Sequence, residues 1–467
     1  MMIKEKGIGR LKLMDEIGKK YGGIFTIYLG STPKVVVTDY ELMKRVLNED
    51  IFTGRPKRFF ADLFFRRLGL LYSDGPLWRE HRPFAMKTLR DFGLGKPWLA
   101  GTIVEEAKDL IRDLEATKQR PTDPAGVITH SSANILCAIS YGTRFDHNNR
   151  HFQRLALLTS RIIKMAGRNQ VLNFFPWLRH IPFLPFKKSY EDYTTNYAKL
   201  DAFSESLIEE HKNNFQEGEA RDYIDAFLNE QQKQMKASGQ TTFTREQLKM
   251  SILTLFGAGV ETTATTIVWS IVFLVENPDA HRRLVQQVDA NIPDGGFPNY
   301  ENKHLMPYLE AFIMEVLRLS DPIPIPARRT LETTELGGYE IPAETVIYPN
   351  LYSAHMDPKF FPNPEKFDPD RFLDANGNIK KLEGYMPFSV GKRYCYGEAL
   401  AKMELFIFVA SLVKYFNFII PGGETVTSTD SMLALVNAPI PFRVVFQPRS
   451  GGRRFSILST GHRQWDH

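Results

Sequence analysis

The sequence predicts a mainly α-helical fold carrying a small β lobe, built as one domain. Three observations lead there. Eight long segments repeat apolar residues with the helical period of about 3.6, only three stretches alternate like strands, and neither an internal repeat nor a linker divides the chain. At 467 residues there is ample chain to bury a large core.

The first element is a hairpin over residues 24–37, where Phe25, Ile27 and Leu29, then Val35 and Val37, alternate with other residues around Gly30 and Pro33. Helical periodicity then runs through residues 77–89, 104–117, 128–141, 190–215, 245–274, 278–288, 308–319 and 398–416, with Pro-rich breaks between them. Residues 333–348, with Gly337, Gly338 and Pro342 as turn signals, and residues 441–447 supply the remaining strands. Residues 1–448 therefore read as one domain, and the basic, Gly- and Ser-containing residues 449–467 as a disordered tail.

Composition narrows the function. The 34 Phe and 18 Tyr supply enough aromatic surface to line an apolar cavity. Lys plus Arg number 59 against 54 Asp plus Glu, and no long basic run interleaved with aromatics precedes the tail, which argues against nucleic acid as a partner. The only cysteines, Cys137 and Cys395, give neither a disulfide framework nor a multi-cysteine metal site, and fit a reducing compartment. No apolar run reaches the ~18 residues of a membrane span. The longest, residues 267–275, contains Ser270 and is closed by Glu276. The first twenty residues lack the apolar stretch of a secretory signal, which leaves a soluble protein or one whose natural N-terminus has been removed.

The sharpest chemical signal is Phe388-Ser389-Val390-Gly391-Lys392-Arg393-Tyr394-Cys395-Tyr396-Gly397, which runs into an apolar helix at Glu398. A cysteine just before a helix has backbone donors and the positive end of the helix dipole beside it, so its pKa should fall. Gly391 and Gly397 remove side chains where backbone would pass a flat cofactor, and Arg393 is placed to pair with a carboxylate. The plainer reading of a lone cysteine is a small buried hydrophobe.

A second signal lies inside the segment 245–274, where Gly257, Ala258, Gly259, Glu261 and Thr262 follow one another closely. Glycine in mid-helix costs ~1 kcal/mol relative to alanine, so these glycines point to room for dioxygen over a metal. A local widening of the helix would free carbonyls for water, while Glu261 and Thr262 supply an acid and a hydroxyl for proton delivery. Close helix packing is the plainer alternative. Glu315 with Arg318 at i,i+3, and Trp78 with Arg82 at i,i+4, are further paired positions on helix faces.

Residues 388–397 resemble the haem-binding signature of the cytochrome P450 family, Phe-x-x-Gly-x-Arg-x-Cys-x-Gly, at every fixed position. The likeness covers nearly the whole chain, from Lys20-Tyr21-Gly22 through Phe52-Thr53-Gly54-Arg55-Pro56 to Phe442-Arg443-Val444, and is strongest to the animal microsomal branch. It implies a haem b cofactor whose iron is ligated by Cys395, with Phe388, Arg393 and Ala258 against it. Trp78 and Arg82 would donate to a propionate, and Arg328 or Arg329 would be a third donor, with Arg328 standing where animal relatives often carry His. Glu315, Arg318 and Arg371 match a buried triad that locks the cysteine region, with Asp370 where Glu is usual, and Cys137 becomes a packing residue.

The resemblance further implies a monooxygenase that inserts one oxygen atom from O2 into a lipophilic substrate. The cysteine thiolate favours O–O cleavage, and Glu261 and Thr262 relay protons. Electrons would come from NADPH through a membrane-bound flavoprotein reductase, with cytochrome b5 a possible second donor, at the cytoplasmic face of the endoplasmic reticulum membrane. The substrate pocket would draw on residues 59–70, 174–186, 253–258, 323–327 and 435–437. Aromatic and basic residues at 173–188 suit either a membrane surface or a pocket roof. Arg79, Arg90, Lys96 and Lys392 would form the reductase-docking face, although Pro83 stands where another basic residue is common. Two other classes are a haem-thiolate isomerase or dehydratase, against which Glu261-Thr262 argues, and a non-catalytic haem protein that binds ligands.

Overall fold

The computed structural model describes residues 9–93, 96–147 and 149–449. All eight expected helices are present, as Gly75–Asp91, Pro97–Glu115, Pro124–Tyr141, Pro185–Asn213, Arg245–Glu276, Pro278–Asn291, Pro307–Ser320 and Glu398–Tyr415. Six of them carry proline in the first turn, where its missing N–H costs nothing, so the Pro-rich breaks are helix starts. Helices Gly9–Tyr21, Tyr40–Asn48, Arg150–Arg168 and Tyr223–Ser238 were not among those expected, although Tyr40–Asn48 buries Met43, Val46 and Leu47 at helical spacing.

The organising element is the 32-residue helix Arg245–Glu276, started by Thr244, whose side chain accepts from the Gln247 N–H. It is apolar on nearly every face, so it must be buried all round. By length and composition it is apolar enough to cross a membrane, as a buried core helix also is. Here it is the core helix. The helices Pro124–Tyr141, Arg150–Arg168, Pro185–Asn213, Pro307–Ser320 and Glu398–Tyr415 pack against it in one continuous apolar core.

The β lobe holds a four-stranded sheet in the order Ile24–Leu29, Thr32–Val37, Val346–Pro349, Arg328–Arg329. The hairpin forms as expected, with Ile24 opposite Val37 and Leu29 opposite Thr32. Thr53 and Gly54 bridge to Arg329 on the edge strand, which brings the loop bearing Arg55 beside Arg328. Near the C-terminus Val445–Pro448 pairs with Phe416–Ile419, so the strand expected from residue 441 begins later. Arg449 is not part of a loose tail: its N–H donates to the Tyr415 carbonyl at 2.9 Å, and its guanidinium pairs with Asp289. Residues 450–467 of the expected tail lie outside the described residues.

Beneath the cysteine loop, Glu315 and Arg318 are fully buried and joined by two bonds of 2.7 Å. Arg371 Nε also donates to Glu315, at 3.0 Å, as does the Asp368 N–H, at 2.9 Å. Arg318 Nη1 reaches the His355 carbonyl at 2.8 Å, so the cluster ties the helix Pro307–Ser320 to the short helix Leu351–His355 and to the turn Pro369–Phe372. Asp370 stands outside it, paired with Arg283 at the surface.

Candidate active site

The loop before Cys395 turns through a single 3-10 step, Gly391–Arg393, and the Cys395 N–H closes it by donating to the Phe388 carbonyl at 3.0 Å. Gly391 has φ +74°, and a Cβ there would collide with the Leu47 carbonyl. Its requirement is close approach to the helix Tyr40–Asn48 rather than to a cofactor, which corrects the expectation. At Gly397 the nearest atom to an added Cβ is Cys395 Sγ, at 3.8 Å, so the backbone beside the sulfur is bare.

Cys395 is accessible, whereas Cys137 is wholly buried in the core. Accessible does not mean bathed in bulk water. Surrounding protein desolvates the Cys395 thiol and pushes its pKa up to about 11, against the pull of the Gly397 and Glu398 N–H groups and the charge of Arg82. The expected fall does not occur, because desolvation outweighs the helix start. Only a cation at the sulfur would make it a thiolate at neutral pH.

Around this sulfur gathers an excess of positive charge. Trp78 and Arg82 are buried one turn apart on the helix Gly75–Asp91, and Arg82 donates to the Tyr394 carbonyl at 2.8 Å. Arg393 stacks on Trp78 at 4.0 Å and donates to the carbonyls of Thr53 and Ser73 at 3.0 and 2.9 Å. Among the described residues no protein carboxylate forms an ion pair with it, which leaves the expected carboxylate partner to a ligand. Arg55 donates to the Ala327 carbonyl at 3.2 Å, and Arg328 to that of Pro326 at 2.6 Å. Burial and mutual repulsion push Arg393 down to about 7 and Arg55 to about 10, and hold Arg328 well below its ordinary range. Guanidinium keeps its proton at such pH values, so the shifts register uncompensated charge.

The donor inventory points the same way. Trp78 Nε1, Arg55 Nε, Arg328 Nη2 and Arg393 Nη1 are buried without a hydrogen-bond partner. Asp74 is already engaged by Arg67, Arg329 and the Arg55 N–H. Four orphan donors on a positive cluster beside an accessible sulfur fit a flat ligand that carries two carboxylates and a thiophilic metal. Between the two arginines considered for the third donor, Arg328 joins the cluster, while Arg329 turns to Asp74 and Glu344. Arg55, which the sequence analysis did not single out, also lies in this cluster. Its only sequence signal is its place between Gly54 and Pro56 in a stretch shared with the family.

The helix Arg245–Glu276 stays regular through residues 257–263, so the expected widening is absent. Gly259 faces Leu136, whose side chain lies 3.0 Å from an added Cβ, and close helix packing is its explanation. The open face belongs to Ala258 and Thr262, one turn apart, with Thr262 Oγ1 donating to the Ala258 carbonyl at 2.7 Å. Glu261 is buried on another face. Desolvation raises its pKa, while Lys164 and Ser160 on the helix Arg150–Arg168 pull it back. Acid and alcohol are neighbours in sequence but are not brought together here.

Phe388 is half-buried against the core, with Lys402 5.7 Å from its ring. Arg79, Arg90, Lys96 and Lys392 are all exposed, and Lys392 pairs weakly with Asp50 at 3.4 Å. An outer groove of about 820 Å³, lined by Arg161, Met165, Phe186 and Lys199 among others, shares no residue with the cysteine cluster.

A ligand that answers both the sulfur and the orphan donors is a haem, and the site is accordingly that of a haem-thiolate protein. A sequence profile described as Cytochrome P450 matches residues 3–446. Human Cytochrome P450 2U1 is 34% identical over 448 residues, covering 95% of this chain and 82% of that protein. Human Cytochrome P450 2J2 is 36% identical over 92% of this chain and 86% of its own length, and chicken Cytochrome P450 2H1 36% over 93% and 88%. The chain belongs to the cytochrome P450 family. It is therefore a haem b-dependent monooxygenase acting on lipophilic substrates with electrons from a reductase, and the isomerase, dehydratase and carrier readings are set aside.

Proposed function

We propose that Cys395 is the sulfur ligand to the haem iron and that Trp78, Arg82, Arg328 and Arg393, joined by Arg55, hold the two propionates. The observation that carries this reading is the set of four buried, partnerless donors beside the one accessible cysteine. Bound haem supplies the redox centre at which dioxygen is reduced and one oxygen atom is passed to substrate. Phe388 shields the sulfur side, and its carbonyl fixes the Cys395 backbone at 3.0 Å. Ala258 and Thr262 present the helix face that borders the reacting space. Glu261, with its pKa raised by burial, holds a proton more readily than an exposed carboxylate, but it faces Ser160 and Lys164, so it joins a relay with Thr262 only if its side chain swings to the Ala258–Thr262 face, where the Thr262 hydroxyl must also leave the Ala258 carbonyl.

The surface supports the rest of the reading. Trp177 and Phe183 are 58% and 86% exposed beside Lys187 and Lys188, which suits an apolar and basic patch dipping into a bilayer. Phe175 lies against the hairpin turn at Gly30, extending this patch onto the β lobe. The enzyme then works at the cytoplasmic face of the endoplasmic reticulum membrane. Its reductase, and cytochrome b5 as a second donor, dock on the face of Arg79, Arg90, Lys96 and Lys392.

The test is the absorption of the reduced protein under carbon monoxide. A red-shifted thiolate band is expected, lost in Cys395→Ala and kept in Cys137→Ala. The reverse pattern refutes the ligand assignment.

A further inference from the structure

A cavity of about 350 Å³ lies behind the cysteine loop. Residues 386–390 line it, but none of residues 391–397 does, so it is separate from the space at Cys395. Its other walls come from Tyr300 and Lys303, the helix Pro307–Ser320, residues 379–385 and the first three turns of Glu398–Tyr415. Ile313, Leu317, Leu382 and Phe406 make the lining mainly apolar. Two of its residues, Tyr385 and Ser389, have buried hydroxyls without any hydrogen-bond partner. Desolvation holds the Tyr385 phenol protonated, with its pKa well above the ordinary value, so it remains a donor. Ser389 sits at φ +58°, a conformation a serine seldom takes without a reason.

The charges around the cavity are unequal. Lys303 faces Glu310 at 4.0 Å, and Lys402 pairs with Glu398 at 2.6 Å. Lys381, exposed at the lining, makes no ion pair among the described residues. One free cation and two donors ask for acceptor oxygens carrying a single negative charge, since Glu310 and Glu398 would repel a dianion. Apolar walls ask for a hydrocarbon body. The volume equals that of about a dozen water molecules at roughly 30 Å³ each, so the body is small.

We propose that this cavity is a second small-molecule site, which takes an arylalkyl or short alkyl monocarboxylate with its carboxylate toward Lys381, Tyr385 and Ser389. Such a ligand sits against Phe388, whose carbonyl holds the Cys395 N–H, so occupancy is felt at the sulfur without entry into the substrate space. This inference goes beyond the proposed function and does not depend on the roles assigned to Glu261, Thr262 or the arginines.

The experiment titrates holoenzyme with 4-phenylbutyrate by calorimetry, after the substrate side has been saturated with a tight azole inhibitor. Binding is expected to persist under the azole and to shift the absorption maximum of the azole complex slightly. The neutral 4-phenylbutanamide should bind about tenfold more weakly, and Lys381→Glu should weaken the carboxylate by about the same factor. Leu382→Trp, which fills the cavity, should abolish binding. If that variant loses haem, the exposed Lys381→Glu decides alone. Binding that disappears under the azole, no binding at millimolar ligand, or affinity indifferent to Lys381→Glu each overturns the proposal.

Discussion

Removing the charge of Glu315 should be among the most damaging single changes in this protein, although Glu315 touches neither sulfur nor substrate. Its carboxylate accepts from Arg318 Nε and Nη2, Arg371 Nε and the Asp368 N–H, at 2.7 to 3.0 Å. Glu315 and Arg318 are both fully buried. In Glu315→Ala two guanidiniums lose their counter-charge and a backbone donor its acceptor. Breaking a buried pair from one side costs about 3–5 kcal/mol, a fifth or more of a typical domain stability of about 5–15 kcal/mol. Glu315→Gln keeps the volume but not the charge, and should lose about 1.5–3 kcal/mol, the range for hydrogen bonds to charged groups. The control is Asp370→Asn, whose pair with Arg283 is half exposed and worth about 0–1 kcal/mol. Loss of the carbon monoxide band on heating or in denaturant gives the ranking. The folded fraction of Glu315→Gln should keep the parental band position. A Glu315→Gln protein within about 0.5 kcal/mol of the parent, or an Asp370→Asn protein as damaged as Glu315→Gln, would refute the reasoning.

Four other outcomes are expected. Thr262→Ala should keep full haem content while diverting NADPH into peroxide, read as less product per NADPH; unchanged coupling leaves helix packing as the role of Thr262. Arg90→Glu with Lys392→Glu should slow reductase-driven turnover and spare turnover with an added peroxide donor, and rising ionic strength should mimic it, since exposed charges are screened beyond ~10 Å at 0.1 M salt. Trp177→Ser with Phe183→Ser should weaken sedimentation with anionic liposomes without loss of haem. His147 is desolvated, but its bonds to Asp113 and Glu106 prevail and raise it from 6.5 to about 9. A raised folded pKa stabilises fully below pH 6.5 and is lost as pH climbs through about 9, so thermal stability should decline across that window, and His147→Gln should flatten the decline.

Periodicity made the long helices legible, and the prolines that looked like breaks marked their starts at Pro97, Pro124, Pro185, Pro278 and Pro307. Short strands were less legible, because Arg328–Arg329 and Ser431–Leu433 carry no alternation long enough to read. In the site, Cys395, Trp78, Arg82 and Arg393 were readable from fixed spacings. Arg55 was not, since its position depends on Gly54 bridging to Arg329 across the sheet edge. Arg371 reaches Glu315 across 56 residues, a closure visible only through the family pattern. Gly391 and Cys395 mark the limit of local reasoning. The sequence displays the turn and the backbone donors, but the Leu47 carbonyl that excludes a side chain, and the desolvation that raises the thiol, belong to the assembled fold.

The crowded guanidiniums of Arg55, Arg82, Arg328 and Arg393 bear on how the enzyme is made. They come from the loop after Phe52, the helix Gly75–Asp91, the sheet edge and the cysteine loop, four segments far apart along the chain. On the proposed assignment, the carboxylates of bound haem would offset the repulsion among these guanidiniums, so binding would add to the stability of the four segments together. On that assignment haem binding and the stability of the β lobe would be linked, so thermal stability should rise with haem occupancy.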